Sequence, residues 1–118
     1  MSAPRRALSP DWRSWAGLIV GPVAWALHHQ GGSNFNYADC RAWDGTAVVL
    51  TGVLALAAVL GAGGLSLSAW RRGGGAAGAS HDPPGRFVAG LSLMSAALFA
   101  LTILIQMAAG LLVPACMR

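Results

Sequence analysis

Lysine and glutamate are absent from this 118-residue chain, whose charged residues are eight arginines and four aspartates and amount to 10% of the sequence. A soluble domain carries about 25% charged residues. Without glutamate or lysine, few side chains remain for general acid–base catalysis, so we expect neither enzyme activity nor a bound cofactor. The glycines at 73–75 lack the lysine of a phosphate-binding loop, and the net charge of +4 does not by itself indicate nucleic-acid binding.

Two stretches have no ionisable side chain at all, one from Thr46 to Trp70 and one from Phe87 to Ala115. A run of about 18 or more uncharged apolar residues is typical of a helix that crosses a lipid bilayer. The hydrophobic fraction of 55% and the mean hydropathy of +0.56 point the same way. These runs argue against a soluble enzyme, a secreted disulfide-rich domain and a nucleic-acid-binding module.

The pattern predicts an all-α integral membrane protein that forms one domain. Residues 73–81, rich in glycine, alanine and serine, are expected to form a flexible cytoplasmic linker. Gly31 and Gly32 are expected to end the first helix, because glycine is favoured just beyond helix C-termini. The three predicted transmembrane helices cover about residues 10–30, 45–72 and 83–113.

The first of these segments is the shortest, and it has a competing interpretation as a cleaved signal peptide. Arg5 and Arg6 would form its basic region, and residues 24–26 an A-x-A cleavage site. The bulky Trp25 and the histidines that follow are a poor cleavage context, so we favour a retained helix. Pro22 is expected to kink this helix, because proline lacks the backbone N–H of the helical hydrogen bond.

Arginines set the expected orientation, because cationic loops tend to remain in the cytoplasm. The N-terminus is therefore predicted to be cytoplasmic, and residues 31–45 and the C-terminus to lie on the outer side of the membrane. Only Arg41 and Arg118 fall on the outer side. The arginines assigned to the inner side are Arg5, Arg6, Arg13, Arg71, Arg72 and Arg86.

Cys40 and Cys116 are the only two cysteines, and this orientation places both on the oxidising side of the membrane. A disulfide between them is the favoured prediction, since disulfides persist in that compartment. Two alternatives stay open at this point. The cysteines are unpaired thiols, or they bind a copper ion as soft ligands together with Met117.

Each predicted span carries a stripe of small or polar residues at helical spacing. Small residues allow helices to approach closely in lipid, so the stripes are expected to face one another or a partner protein. In particular, we expect Gly17, Gly21, Gly61 and Gly64 to be helix-packing positions. The stripes are Gly17, Gly21, Ala24 and His28; Ala57, Gly61, Gly64 and Ser68; and Ser92, Ser95, Phe99, Thr102 and Gln106.

His28, His29 and Gln106 are polar groups inside or near the membrane, where such side chains are costly and often functional. A hydrogen bond between His28 and Gln106 would satisfy both side chains without any chemistry. The alternative is contact with a larger partner, or with its quinone or haem. Adjacent histidines on one helix cannot both ligate a single iron, so we expect no haem bound by this chain alone.

The stretch from Trp15 to His28, which contains Gly21-Pro22-Val23-Ala24-Trp25, resembles a pattern in small bacterial inner-membrane proteins, as do the following Tyr37 and Cys40. Some of those proteins accompany haem–copper terminal oxidases. The resemblance implies a bacterial inner membrane, so that the outer side, with the C-terminus, is periplasmic. It also implies an accessory subunit of a respiratory complex in contact with partner proteins and lipids. A periplasm-facing copper-handling or assembly factor, and a small homo-oligomeric transporter, are the alternative functions.

Overall fold

The computed structural model describes residues 12–42, 45–72 and 83–117. Over these ranges the chain is helical, with three long helices and a short 3₁₀ turn. The elements are α1 (Trp12–Ala42), α2 (Thr46–Arg72), α3 (Pro83–Leu112) and the 3₁₀ turn Ala115–Met117. The predicted start of the first helix, near residue 10, lies outside the described residues, and so does the predicted linker at residues 73–81.

The second and third helices match their predicted bounds, but the predicted end of the first helix is wrong. Instead of stopping at Gly31 and Gly32, α1 continues to Ala42 and also runs through Pro22. Glycine inside a helix costs only about 1 kcal/mol, which tertiary contacts can offset. Here the added length packs beside the ends of the other two helices and brings Cys40 to Cys116.

Neighbouring helices in the chain run antiparallel, as three contacts at the bundle ends indicate. A Cβ built on Gly45 would lie 3.7 Å from the carbonyl oxygen of Gly110, so the start of α2 lies beside the end of α3. Gly90 and Trp70 meet in the same way at the opposite end, and the Cys40–Cys116 bond joins the ends of α1 and α3. The Trp70 end carries Arg13, Arg71, Arg72 and Arg86, while Arg41 lies at the other.

Packing between the helices uses small residues, and the large apolar side chains point outward. Among the described residues, the largest fully buried side chains are Ile103, Val59, Ser66 and Ser92, and the small Ala89 is also fully buried. By contrast, Leu27, Leu54 and Met94 are each 70% exposed or more. This distribution is the reverse of a water-soluble bundle, which buries its largest apolar side chains.

Serine hydroxyls join the three helices at the arginine end of the bundle. Ser66 of α2 is fully buried and bonds to the backbone of α1. Ser92 of α3, also fully buried, donates a hydrogen bond to the carbonyl oxygen of Ser14 in α1. Each hydroxyl therefore finds a backbone partner across a helix interface, as buried polar groups require.

α2 and α3 are long and apolar enough to cross a membrane. α1 is long enough, with 31 residues, but it is not among the helices whose composition is apolar enough. Its C-terminal half contains a run of polar residues between His28 and Asn36. The third predicted span and the predicted orientation therefore stay predictions.

Candidate binding cleft

The predicted glycine positions in α1 are confirmed as packing positions. A Cβ on Gly17 would lie 2.5 Å from the carbonyl oxygen of Ser92, and one on Gly21 would lie 3.0 Å from the Phe99 ring. Both contacts are tighter than side-chain carbons normally make. Ala24 and His28 continue the same buried face, so the whole predicted stripe of α1 packs against its neighbours.

In α2, Gly61 and Gly64 do not pack against the described part of the chain, and the expectation that their stripe faces a partner protein stays a prediction. Gly61 and Gly64 are exposed, and a Cβ at either would meet no heavy atom of the described residues within 4 Å. The inward face of α2 instead uses Gly52 and Gly63, whose neighbours are Met107 and Ala96 respectively. The sequence alone did not distinguish the inward face of α2 from the outward one, because glycine and alanine recur on both faces of this helix.

The predicted disulfide is present in the structure. Cys40 and Cys116 have their sulfur atoms 2.02 Å apart and their Cα atoms 4.8 Å apart. The bond ties the last turns of α1 to the 3₁₀ turn after α3. Neither sulfur is a thiolate in this state, so the copper-handling alternative would require the reduced protein.

Next to this disulfide end, the three helices enclose an open cleft of about 370 Å³. Polar side chains from α1 and Gln106 of α3 form one part of its wall, and small or apolar residues from α2 and α3 form the rest. The lining residues are His28, His29, Gly32, Ser33, Asn36, Val48, Gln106, Ala109, Gly110 and Val113. The volume lies within the range of about 300–1,000 Å³ that is typical of small-ligand sites.

His28 is the buried histidine of the pair, with 4% of its surface exposed. Its Nδ1 lies 3.4 Å from the Thr51 hydroxyl, which itself donates to the carbonyl oxygens of Ala47 and Val48. The polar partner of His28 among the described residues is thus the Thr51 hydroxyl of α2. The predicted His28–Gln106 hydrogen bond is therefore wrong, and Thr51 takes the place of Gln106.

Gln106 pairs with the other histidine instead. Its Nε2 donates to Nδ1 of His29 over 3.2 Å. The His29 ring also stacks on the indole of Trp25, one helical turn earlier, with ring centroids 5.4 Å apart, and Trp25 contacts Phe99. These contacts fix the orientation of His29 at the cleft wall. The sequence correctly predicted Gln106 as a partner for the histidine pair but selected the wrong histidine.

Two side-chain oxygens at the cleft wall have no hydrogen-bond partner among the described residues. They are Oδ1 of Asn36 and Oε1 of Gln106, and both are covered by neighbouring atoms. An unpaired buried acceptor costs about 1–3 kcal/mol, so the cleft holds unused hydrogen-bonding capacity. The indole Nε1 of Trp25 is unpaired in the same way.

Sequence reasoning missed Ser33 and Asn36 because it placed them in a loop after Gly31 and Gly32. In a continuing helix, positions 29, 33 and 36 fall on one face, and this spacing could have identified them. Ser33 donates to the carbonyl oxygen of His29 over 3.2 Å, a bond within the helix that accompanies its passage through the two glycines.

The lining of the cleft combines hydrogen-bonding side chains with small or apolar residues. Its lining contains no carboxylate and no thiol, and the described residues contain no cluster of three or more histidine, cysteine or acidic side chains that could hold a metal ion. Comparison with protein-family models, curated proteins and solved structures gives no match for this chain.

Proposed function

We propose that this chain is a three-span protein of the bacterial inner membrane, with its N-terminus in the cytoplasm, and a non-catalytic accessory subunit of a larger membrane complex. The partner that we propose is a respiratory terminal oxidase or a related electron-transfer assembly. The subunit would support assembly or stability of that complex.

The membrane part of the proposal is supported by the distribution of side chains. Large apolar residues face outward along the bundle, and the interior is filled by alanine, glycine and serine. Soluble proteins rarely expose a contiguous apolar surface of this extent, and where they do it marks a site of contact with another protein or with a membrane. Lipid contact is therefore the simplest role for this exterior.

The length of α1 fits a helix that crosses the membrane and then extends beyond it. Its 31 residues span about 46 Å at about 1.5 Å per residue, against a hydrocarbon core of about 30 Å. The polar residues after Leu27 then lie at or beyond the outer interface. In this arrangement the His29–Gln106 pair and the disulfide belong to the periplasmic end of the bundle.

The observation that carries the accessory-subunit proposal is the outward face of α2. Ala57, Gly61 and Gly64 are exposed there, and no neighbouring side chain of the described residues covers the two glycines. Helices in lipid associate through small residues, which allow two backbones to approach closely. This face offers a partner helix a contact strip that the described part of the chain does not use.

Two further points support the choice of partner and role. The resemblance of residues 15–28, Tyr37 and Cys40 to proteins that accompany terminal oxidases favours a respiratory complex. The cleft lining has neither carboxylates nor thiols for chemistry, which favours a supporting role over a catalytic one.

Purification of the tagged chain in a mild detergent, followed by identification of co-migrating proteins, tests this proposal. We expect subunits of a haem-containing membrane complex to co-purify in constant ratio. Gly61→Leu should reduce their recovery, because a leucine would hold a partner helix away from α2. Ala97→Leu on the exposed face of α3 is the matched control and should leave recovery unchanged.

A chain that emerges alone and monomeric would contradict the accessory-subunit proposal. Co-purification with a complex that lacks haem and quinone chemistry would contradict the respiratory assignment and leave the subunit role in place.

A further inference from the structure

We propose that the cleft beside the disulfide binds a neutral amphiphile whose headgroup carries hydroxyl groups. Two membrane molecules share this chemistry: a reduced quinone, whose ring bears two hydroxyls, and a glycerol-headed lipid. The site lies within this single chain, so the inference does not depend on the identity of any partner complex.

The absence of formal charge in the lining selects a neutral ligand. The polar lining side chains are two histidines, a serine and two amides, and no arginine or aspartate is among them. An anionic phosphate headgroup would lose its hydration without gaining a cationic partner, and a cation would find no carboxylate. A headgroup without charge avoids both costs.

The unpaired amide oxygens point to hydroxyls as the ligand groups. Oδ1 of Asn36 and Oε1 of Gln106 lack donors among the described residues and lie on different helices of the same cleft. Both oxygens are covered in this structure, so the amide groups must turn toward the cleft to meet a ligand. A hydroxyl can donate to an amide oxygen and accept from an amide N–H, and therefore pairs with either side of a turned amide.

The remainder of the lining suits an apolar body attached to such a headgroup. Val48, Ala109 and Val113 form a wall with no polar side chain. The cleft is open, and the apolar surface of α3 continues beyond it, where Ile105 is 60% exposed and Leu112 is 82% exposed. A chain attached to the headgroup can leave the cleft along this surface into lipid.

The test uses the full-length chain, purified in detergent with its disulfide intact. Binding is measured by titration with four probes: a short-chain quinol, the matching quinone, a monoacylglycerol and an anionic phospholipid. We expect saturable binding of the quinol or of the monoacylglycerol. The quinone and the anionic lipid should bind about tenfold more weakly or worse, because they lack hydroxyl donors or carry a charge.

Two neighbouring alanines provide a matched pair of variants. Ala109→Leu would fill the cleft, whereas Ala108→Leu makes the same change at an exposed position outside it. We expect Ala109→Leu to abolish saturable binding and Ala108→Leu to retain it. Asn36→Leu removes one of the two acceptors and should weaken binding about tenfold. The polar control is Thr102→Val, because Thr102 lies outside the cleft lining and donates to the Leu98 carbonyl of its own helix.

The source of the ligand follows from which probe binds. Saturable quinol binding that Ala109→Leu removes supports the proposal with a quinol as ligand, and the same result with monoacylglycerol supports it with a lipid. The proposal is overturned if neither probe binds saturably, if the anionic lipid binds best, or if the two alanine variants behave alike. The thermal unfolding midpoint of each variant is measured as well, so that a loss of binding can be distinguished from a loss of folding.

Discussion

The hydroxyl of Ser66 lies between two backbone groups of α1, 3.0 Å from the carbonyl oxygen of Arg13 and 3.0 Å from the amide nitrogen of Gly17. These groups are four residues apart, the spacing that an α-helix joins by its own hydrogen bond. A side chain of α2 thus bridges two groups that an isolated α1 would pair with each other. The contact requires Gly17, because any larger residue would meet the Ser92 carbonyl oxygen.

Removal of this hydroxyl should destabilise the bundle. We expect Ser66→Ala to lower the free energy of unfolding by about 1–3 kcal/mol, since a buried bridge between two backbone groups is lost. Ser68→Ala is the control, because the Ser68 hydroxyl accepts from Arg72 of its own helix at an exposed position. Denaturant titration in detergent measures both. Equal effects of the two changes would contradict the bridging role of Ser66.

Glycines on the two kinds of helix face should respond in opposite directions to the same substitution. Gly17→Ala should destabilise by about 1–3 kcal/mol, because the new methyl group overlaps the Ser92 carbonyl. Gly61→Ala should be neutral or stabilising by up to about 1 kcal/mol, because alanine favours helix and the new methyl group would meet no atom of the described residues outside its own stretch of helix within 4 Å. Thermal unfolding of the isolated chain in detergent distinguishes the two. A loss of stability in Gly61→Ala would show that its face is covered within the chain.

The histidine partners can be separated by double-mutant cycles. His29→Ala and Gln106→Ala should show a coupling energy of about 0.5–1.5 kcal/mol, the net value of one hydrogen bond. The cycle of His28→Ala with Gln106→Ala should show none beyond experimental error, and His28→Ala should couple to Thr51→Val instead. Significant coupling between His28 and Gln106 would restore the pairing predicted from the sequence.

The disulfide should contribute strongly to stability because it closes a long loop. The cysteines are 76 residues apart, and loss of a native disulfide typically costs about 2–5 kcal/mol. We expect the double variant C40S/C116S to unfold at a lower temperature than the wild type, and reductant to lower the wild-type midpoint alone. Faster electrophoretic mobility of the non-reduced wild type would mark the bond. Identical mobility of wild type and variant without reductant would contradict it.

Orientation is testable with a reporter enzyme that is active only outside the cytoplasm. Fused after Arg118, the reporter should be active, and inserted between residues 73 and 81 it should be inactive, because arginines flank that linker on both sides. The reverse pattern would contradict the cytoplasmic N-terminus. Activity at both positions would show that the linker and the C-terminus lie on the same side of the membrane, and would contradict the single span predicted between them.

Hydrophobic pattern and helix chemistry determined much of this protein directly. The absence of charge between Thr46 and Trp70 and between Phe87 and Ala115 predicted α2 and α3 almost to their ends. The spacing of Gly17 and Gly21 predicted a packing face, and two cysteines on one side of three helices predicted their disulfide. The helices and the packing face depend on properties that a single helix already carries, and the disulfide prediction needed in addition only the number of helices between the two cysteines.

Tertiary structure decided the end of α1, the packing face of α2 and the partners of the two histidines. In each case the sequence allows more than one arrangement, and contacts between helices select one of them. Gly31 and Gly32 alone favour a helix end, yet contacts with the neighbouring helix ends carry α1 through them and create the polar face that contains Asn36. The small residues of α2 occur on two sides, and only the register against α1 and α3 selects Gly52 and Gly63 over Gly61 and Gly64. Similarly, His28 and His29 are neighbours in α1 but point in different directions around the helix axis. Only the packing of α1 against the other helices decides which of them meets Gln106 and which meets Thr51.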